Sequence, residues 1–95
     1  METPNEIFET IIKSHHIKIE RIISRNQATN DGCWLDQDKN EWVLLLKGNA
    51  GLLFEGNKKI VTMKTGDYIN IPANKKHRVE WTDPKEETIW LAIHY

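Results

Sequence analysis

The sequence predicts an all-β fold, a small barrel built from two sheets in the jelly-roll manner, with one short helix ahead of it. Two observations carry that expectation. From Ile17 onward the chain falls into short runs rich in β-branched, aromatic and aliphatic residues, several of them alternating in polarity. Polar turns such as Gly48-Asn49, Gly56-Asn57, Thr65-Gly66-Asp67 and Asp83-Pro84 separate those runs. Many short strands divided by turns are the mark of an all-β sandwich or barrel.

The first residues read differently. Thr3 can cap a helix, Pro4 suits the first helical position, and Glu6 completes a capping box. Ile7, Phe8, Ile11 and Ile12 then recur at helical spacing. The expectation is an amphipathic helix over about residues 4–13, so that residues 1–16 form a helix and connector and residues 17–95 a barrel, within a single domain. Ser14-His15-His16 reads as a solvated connector, because two adjacent histidines do not face one site from a strand.

Ile17 to Ser24 begins as an alternating strand and then slips parity at Ile22-Ile23, which a bulge or a change of sheet would explain. Asn26 to Gly32 is polar and reads as a loop. Asp36-Gln37-Asp38-Lys39-Asn40-Glu41 has the outline of a calcium loop, but Glu41 stands where glycine is needed and Lys47 where the bidentate glutamate is needed. Glu41 to Lys47 is apolar on both parities, so both faces of that strand need cover. One face meets the core and the other the helix or a second subunit. A chain this short has a marginal core, and a homodimer is expected. Strands follow at Ala50–Glu55, Lys58–Lys64, in the Gly66–His77 stretch, from His77 onward, and at Thr88–Tyr95. In the His77 strand, alternation puts His77, Val79 and Trp81 together on the inward face.

Composition narrows the partners. Lys and Arg total 13 against 14 Asp and Glu, a formal charge of −1, which offers no general attraction to nucleic acid or an anionic membrane. Lys58-Lys59 and Lys75-Lys76-Arg78 read as solvated turn and strand faces. The lone Cys33 has no partner for an internal disulfide, and the absence of a signal-peptide pattern or a run of about 20 apolar residues points to a cytoplasmic protein. The four tryptophans suit core or subunit contacts, one or two of them lining a small-molecule pocket.

Gly66, Pro72 and His77 stand in the spacing of the second cupin motif, with Asn74 in place of a glycine and Trp81 in place of the final asparagine. Glu41 and Gly48 match the end of the first motif. Over about residues 17–95 the chain therefore resembles a small single-domain cupin, whose barrel is a jelly roll, or double-stranded β-helix. Upstream of Glu41 the family's two histidines are missing, and Gln37 stands four positions before the glutamate, with Leu35 two further back. The resemblance implies a divalent metal (iron, manganese, nickel or zinc) inside the barrel, held by Glu41, His77 and Gln37, with Asp36 as a substitute if the register shifts by one. The alternative is a metal-free site in which Glu41 and His77 pair with each other, a ligand-binding or sensor module without catalysis. His94 shares parity with Trp90 and Ala92, which leaves two places for it, the pocket lining or a subunit contact or surface position, the latter favoured.

Overall fold

The computed structural model describes residues 6–95, which form eight strands: β1 Ile7–Lys13, β2 Lys18–Ser24, β3 Glu41–Lys47, β4 Asn49–Phe54, β5 Val61–Lys64, β6 Tyr68–Ile71, β7 His77–Thr82 and β8 Thr88–His94. One sheet has the order β1-β2-β8-β3-β6, the other β5-β4-β7, and every named pair is antiparallel. The inner faces enclose a core of Val43, Leu45, Ala50, Leu52, Phe54, Met63, Ile71 and Trp90.

The helix expected over residues 4–13 does not form. Its described part is β1, an edge strand pairing with β2 from Ile7↔Ile23 to Lys13↔Lys18. Thr3, Pro4 and Asn5, which carry the helix-start signal, lie outside the described residues. A helix of ten residues is marginal without tertiary support. The β-branched Ile7, Thr10, Ile11 and Ile12 suit a pleated surface, and β2 offers a hydrogen-bonding edge. A register shift between Thr10 and Ile12 absorbs the mismatch between helical spacing and strand alternation.

In β2 the parity slip needs no bulge. β2 pairs with β8 in unbroken register from Lys18↔His94 to Ser24↔Thr88. Glu20 and Ser24 are buried, and Ile22 packs on the core. Ile19 and Ile23 therefore take the outer face, and the strand is apolar on both sides because both sides need it.

A bulge does occur in β7, and it changes the inward set. Leu52 opposes Val79, but Gly51 opposes Trp81, so Glu80 is the extra residue. Beyond the bulge Thr82, 3% exposed, shares the inner side with His77 and Val79, and Trp81 moves to the opposite side over Gly51. The simple alternation His77–Val79–Trp81 fails at that residue. Asn74, in the glycine position of the motif, has φ of 63°, the left-handed conformation that asparagine tolerates. Gly48 has φ of +84°, and a Cβ there would lie 2.7 Å from Thr88 Oγ1, so the turn between β3 and β4 requires glycine.

Candidate functional site

Strand ends, not strand middles, build the site. Glu41 begins β3, His77 begins β7, His94 ends β8, and Lys18 and Glu20 lie in the first half of β2. Register aligns them: Lys13 opposes Lys18, Lys18 opposes His94, and His94 opposes Glu41. Residues directly opposite in a sheet project to the same face. One cross-strand row thus delivers four ionisable groups to one end of the barrel, where a cavity of about 290 Å³ opens. Its apolar walls include Phe8, Ile22, Leu52, Val79 and Trp90.

The loop from Arg25 to Asn40 supplies the remaining wall and is fixed to β7 by backbone. Leu35 and His77 exchange backbone hydrogen bonds of 2.7 and 3.0 Å, and the Thr29 N–H donates to the Val79 carbonyl at 2.9 Å. The Arg78 guanidinium donates to the Cys33 and Thr29 carbonyls, each at 3.2 Å, and lies 5.9 Å from the Trp34 ring centroid. Further along, the Asn74 N–H donates to the Gln37 carbonyl at 2.7 Å, which holds the Gln37 backbone beside the entrance.

Gln37, Glu41 and His77, singled out from the sequence, come together here. His77 is 6% exposed. Its Nδ1–H donates to the Lys75 carbonyl at 2.9 Å, the only direction possible toward a carbonyl oxygen, so Nε2 faces the cavity with its lone pair in the neutral ring. Nε2 lies 3.8 Å from Glu41 Oε1, too far for a hydrogen bond and close enough for one bridging polar atom. Gln37 donates from Nε2 to the same Glu41 oxygen at 2.9 Å. Burial pushes the Glu41 carboxyl above its ordinary range, partly offset by His94 and His77.

A second dyad lies on the same wall. His94 Nε2 and Glu20 Oε1 are 2.8 Å apart, and Lys18 Nζ is 3.4 Å from Glu20 Oε2. The hydrogen bond from His94 holds the Glu20 carboxyl below its usual range despite burial, and the same bond raises the His94 imidazole. His94 thus lines the cavity instead of a surface or subunit contact. Glu20 was legible only as the polar member of an alternating strand, and nothing nearby in sequence marks it as His94's partner, 74 residues away. Asp36 also lines the cavity, from an exposed position. Of the tryptophans, Trp90 alone is among the lining residues.

The donor set does not fit a divalent cation as arranged. Glu41 and His77 offer two good ligands, but the Gln37 amide directs an N–H at the carboxylate, and His94 is engaged by Glu20. Among the described residues no group of three or more His, Cys, Asp or Glu side chains is gathered so as to hold a metal ion. What the arrangement offers is an imidazole nitrogen facing the cavity, a carboxyl pushed above its ordinary range, and a second His–Glu pair within one partly apolar cavity, a set suited to moving protons.

Comparisons with known proteins agree with the fold. A crystal structure from Ralstonia eutropha JMP134, carrying the provisional name mannose-6-phosphate isomerase, is 44% identical with a TM-score of 0.93, over 97% of this chain and 85% of that one. A cupin superfamily protein from Desulfitobacterium hafniense DCB-2 is 15% identical with a TM-score of 0.78, over 99% and 80% of the respective chains. The polyketide cyclase RemF from Streptomyces resistomycificus is 17% identical with a TM-score of 0.80, over 96% and 65%; these last two likenesses concern the fold alone. No curated protein matches the sequence. The cupin domain model matches residues 34–94, well over half of the chain, and spans Glu41, His77 and His94: the chain belongs to the cupin domain family.

Proposed function

We propose that the barrel binds a small organic molecule and moves a proton on it, with His77 as base and Glu41 as acid. The observation that carries this reading is the Nε2–Oε1 gap of 3.8 Å in a cavity with apolar walls, with the His77 tautomer set by Lys75. A substrate atom between the two groups gives up its proton to Nε2. The protonated carboxyl of Glu41 donates to an oxygen of the same substrate, and the gained and lost protons balance. Gln37 orients the carboxyl through its hydrogen bond, and His94 with Glu20 supplies a second pair able to return a proton. Proton transfer between neighbouring carbon atoms of a hydroxy-carbonyl compound is the reaction class this suits. The provisional isomerase name of the 44% identical structure is consistent with that class.

The test is solvent deuterium incorporation. The protein is incubated in deuterated water with a panel of small hydroxyaldehydes and hydroxyketones, mannose 6-phosphate and fructose 6-phosphate among them, and the carbon next to the carbonyl is followed by NMR. Incorporation falling on the order of 10²–10⁴-fold in His77→Gln and Glu41→Gln supports the reading. Elemental analysis of the protein purified without chelator runs beside it. A stoichiometric metal retained by the parent and lost from both variants would return Gln37, Glu41 and His77 to the role of metal ligands. Saturable binding without exchange would instead favour a carrier or sensor.

We also propose a homodimer formed through the outer face of the five-stranded sheet. Register lines up Ile12, Ile19, Ile93 and Trp42 in one row and Leu91, Leu44 and Tyr68 in the next. Ile12 is 54% exposed and Tyr68 68%, and no helix covers this face among the described residues.

A further inference from the structure

Outside the cavity, and sharing Lys18, Glu20, Gln37 and His94 with it, lies a shallow vestibule of about 300 Å³ whose other lining residues are Lys13, Ser14, Asp38 and Lys39. Three lysines stand there against two carboxylates. Glu20 already accepts from His94 and lies beside Lys18, and the exposed Asp38 carboxylate is the other negative group. Among the described residues neither Lys13 nor Lys39 has a carboxylate partner within ion-pair distance. More telling is the register. Lys13 lies directly opposite Lys18, and Lys18 directly opposite His94. Like charges directly opposed across an antiparallel pair destabilise it, and an edge strand has many other ways to stay soluble. Three nitrogen-bearing side chains in one row, with Lys39 added from the loop, form a positive rim at the open end of a cavity whose lining includes the imidazole of His77 and the carboxyl of Glu41.

We propose that this rim of Lys13, Lys18 and Lys39 is a subsite for an anionic group, a phosphate or a carboxylate, carried by the molecule that enters the barrel. This rests on the reading of the cavity as a small-molecule site and names the class of molecule. The polarity fixes the orientation: the anionic end stays at the rim, and the hydroxyl- or carbonyl-bearing end reaches Glu41 and His77. An anionic group is attracted by the ammonium ions at the rim, and the partly apolar cavity beyond holds no lysine other than Lys18, so the ligand enters one way round.

The experiment titrates the intact protein with methyl phosphate, acetate and, as a neutral control, glycerol, following the His94 ring signals by NMR at low and at raised salt. Saturable shifts are expected with an anion and not with glycerol, and the tighter of the two anions tells a phosphate subsite from a carboxylate one. In the double variant Lys13→Gln/Lys39→Gln, which alters neither dyad, the anion affinity drops about fivefold or more and the salt dependence flattens. An affinity unchanged in the double variant, equal shifts with glycerol, or no saturable shift with either anion overturns the assignment. These outcomes are separable from the acid–base reading. That reading stands or falls on deuterium exchange in the His77 and Glu41 variants, which a protein with a neutral substrate would still show.

Discussion

Glu41 is held in a form that the fold penalises when it ionises. Its folded-state carboxyl lies above the ordinary value, chiefly because it is buried, so the folded chain keeps a proton that the unfolded chain releases. Stability tied to this group is therefore lost as pH rises from the ordinary carboxylate range through the raised value. Glu41→Gln should leave the protein at least as stable as the parent at pH 7 and show no such advantage at pH 4, read as Tm at the two pH values. A variant less stable at pH 7 would mean that Glu41 is structural and not poised for chemistry. Glu20 and His94 run in opposite senses to each other. Glu20 is lowered from 4.5 by the His94 hydrogen bond, so its contribution is complete above 4.5 and lost as pH falls through the lowered value. His94 is raised from 6.5 by the same bond, so its contribution is complete below 6.5 and lost as pH rises through the raised value. Glu20→Gln should therefore cost most stability between about pH 4.5 and 6.5 and less on either side, as denaturation at several pH values would show.

At the scale of the element, β7 does two jobs, and its bulge lets it do both. Its first residue is His77, and its third, Val79, is bound by Thr29 from the cavity loop through both backbone and hydroxyl. Past Glu80, the strand turns Thr82 inward, where its hydroxyl donates to the Gln27 carbonyl at 2.6 Å, and lays Trp81 over Gly51. A Cβ at Gly51 would run into the Trp81 indole and lie 2.8 Å from Ile60 Cγ2. Gly51→Ala is expected to destabilise by about 1–3 kcal/mol in denaturant unfolding, and pairing it with Trp81→Ala should recover part of the loss. Simple addition of the two effects would contradict the contact. β1 carries the other lesson at this scale. Its spacing of Ile7, Phe8, Ile11 and Ile12 fits a helix as well as a bulged strand, and what decides is β2's open edge, which no local pattern reveals.

For the molecule as a whole, the five-stranded sheet is apolar on both faces, and only the inner one is covered by the three-stranded sheet. Trp42 and Tyr68 lie side by side on the outer face with ring centroids 5.6 Å apart, toward the β6 edge of the proposed dimer contact. Light scattering at micromolar concentration should give twice the chain mass, and Trp42→Glu should halve it without unfolding the barrel. A single-chain mass for the parent would remove the dimer. Among the described residues no helix is long and apolar enough to cross a membrane.

By itself the sequence determined the all-β class, most strand positions, and the meeting of Gln37, Glu41 and His77, because turns and alternation are local and the motif spacing carries the barrel's register with it. Tertiary structure decided the rest. It made β1 a strand, moved Trp81 off the inner side, and brought His94 to Glu20 and Lys18. It also aimed the Gln37 amide N–H at Glu41. Gln37 and Glu41 are only four residues apart, but the other three share one physical reason. Each depends on which strand edge or side chain lies opposite, and that is set by long-range pairing across the sheet, where one extra residue reverses a face.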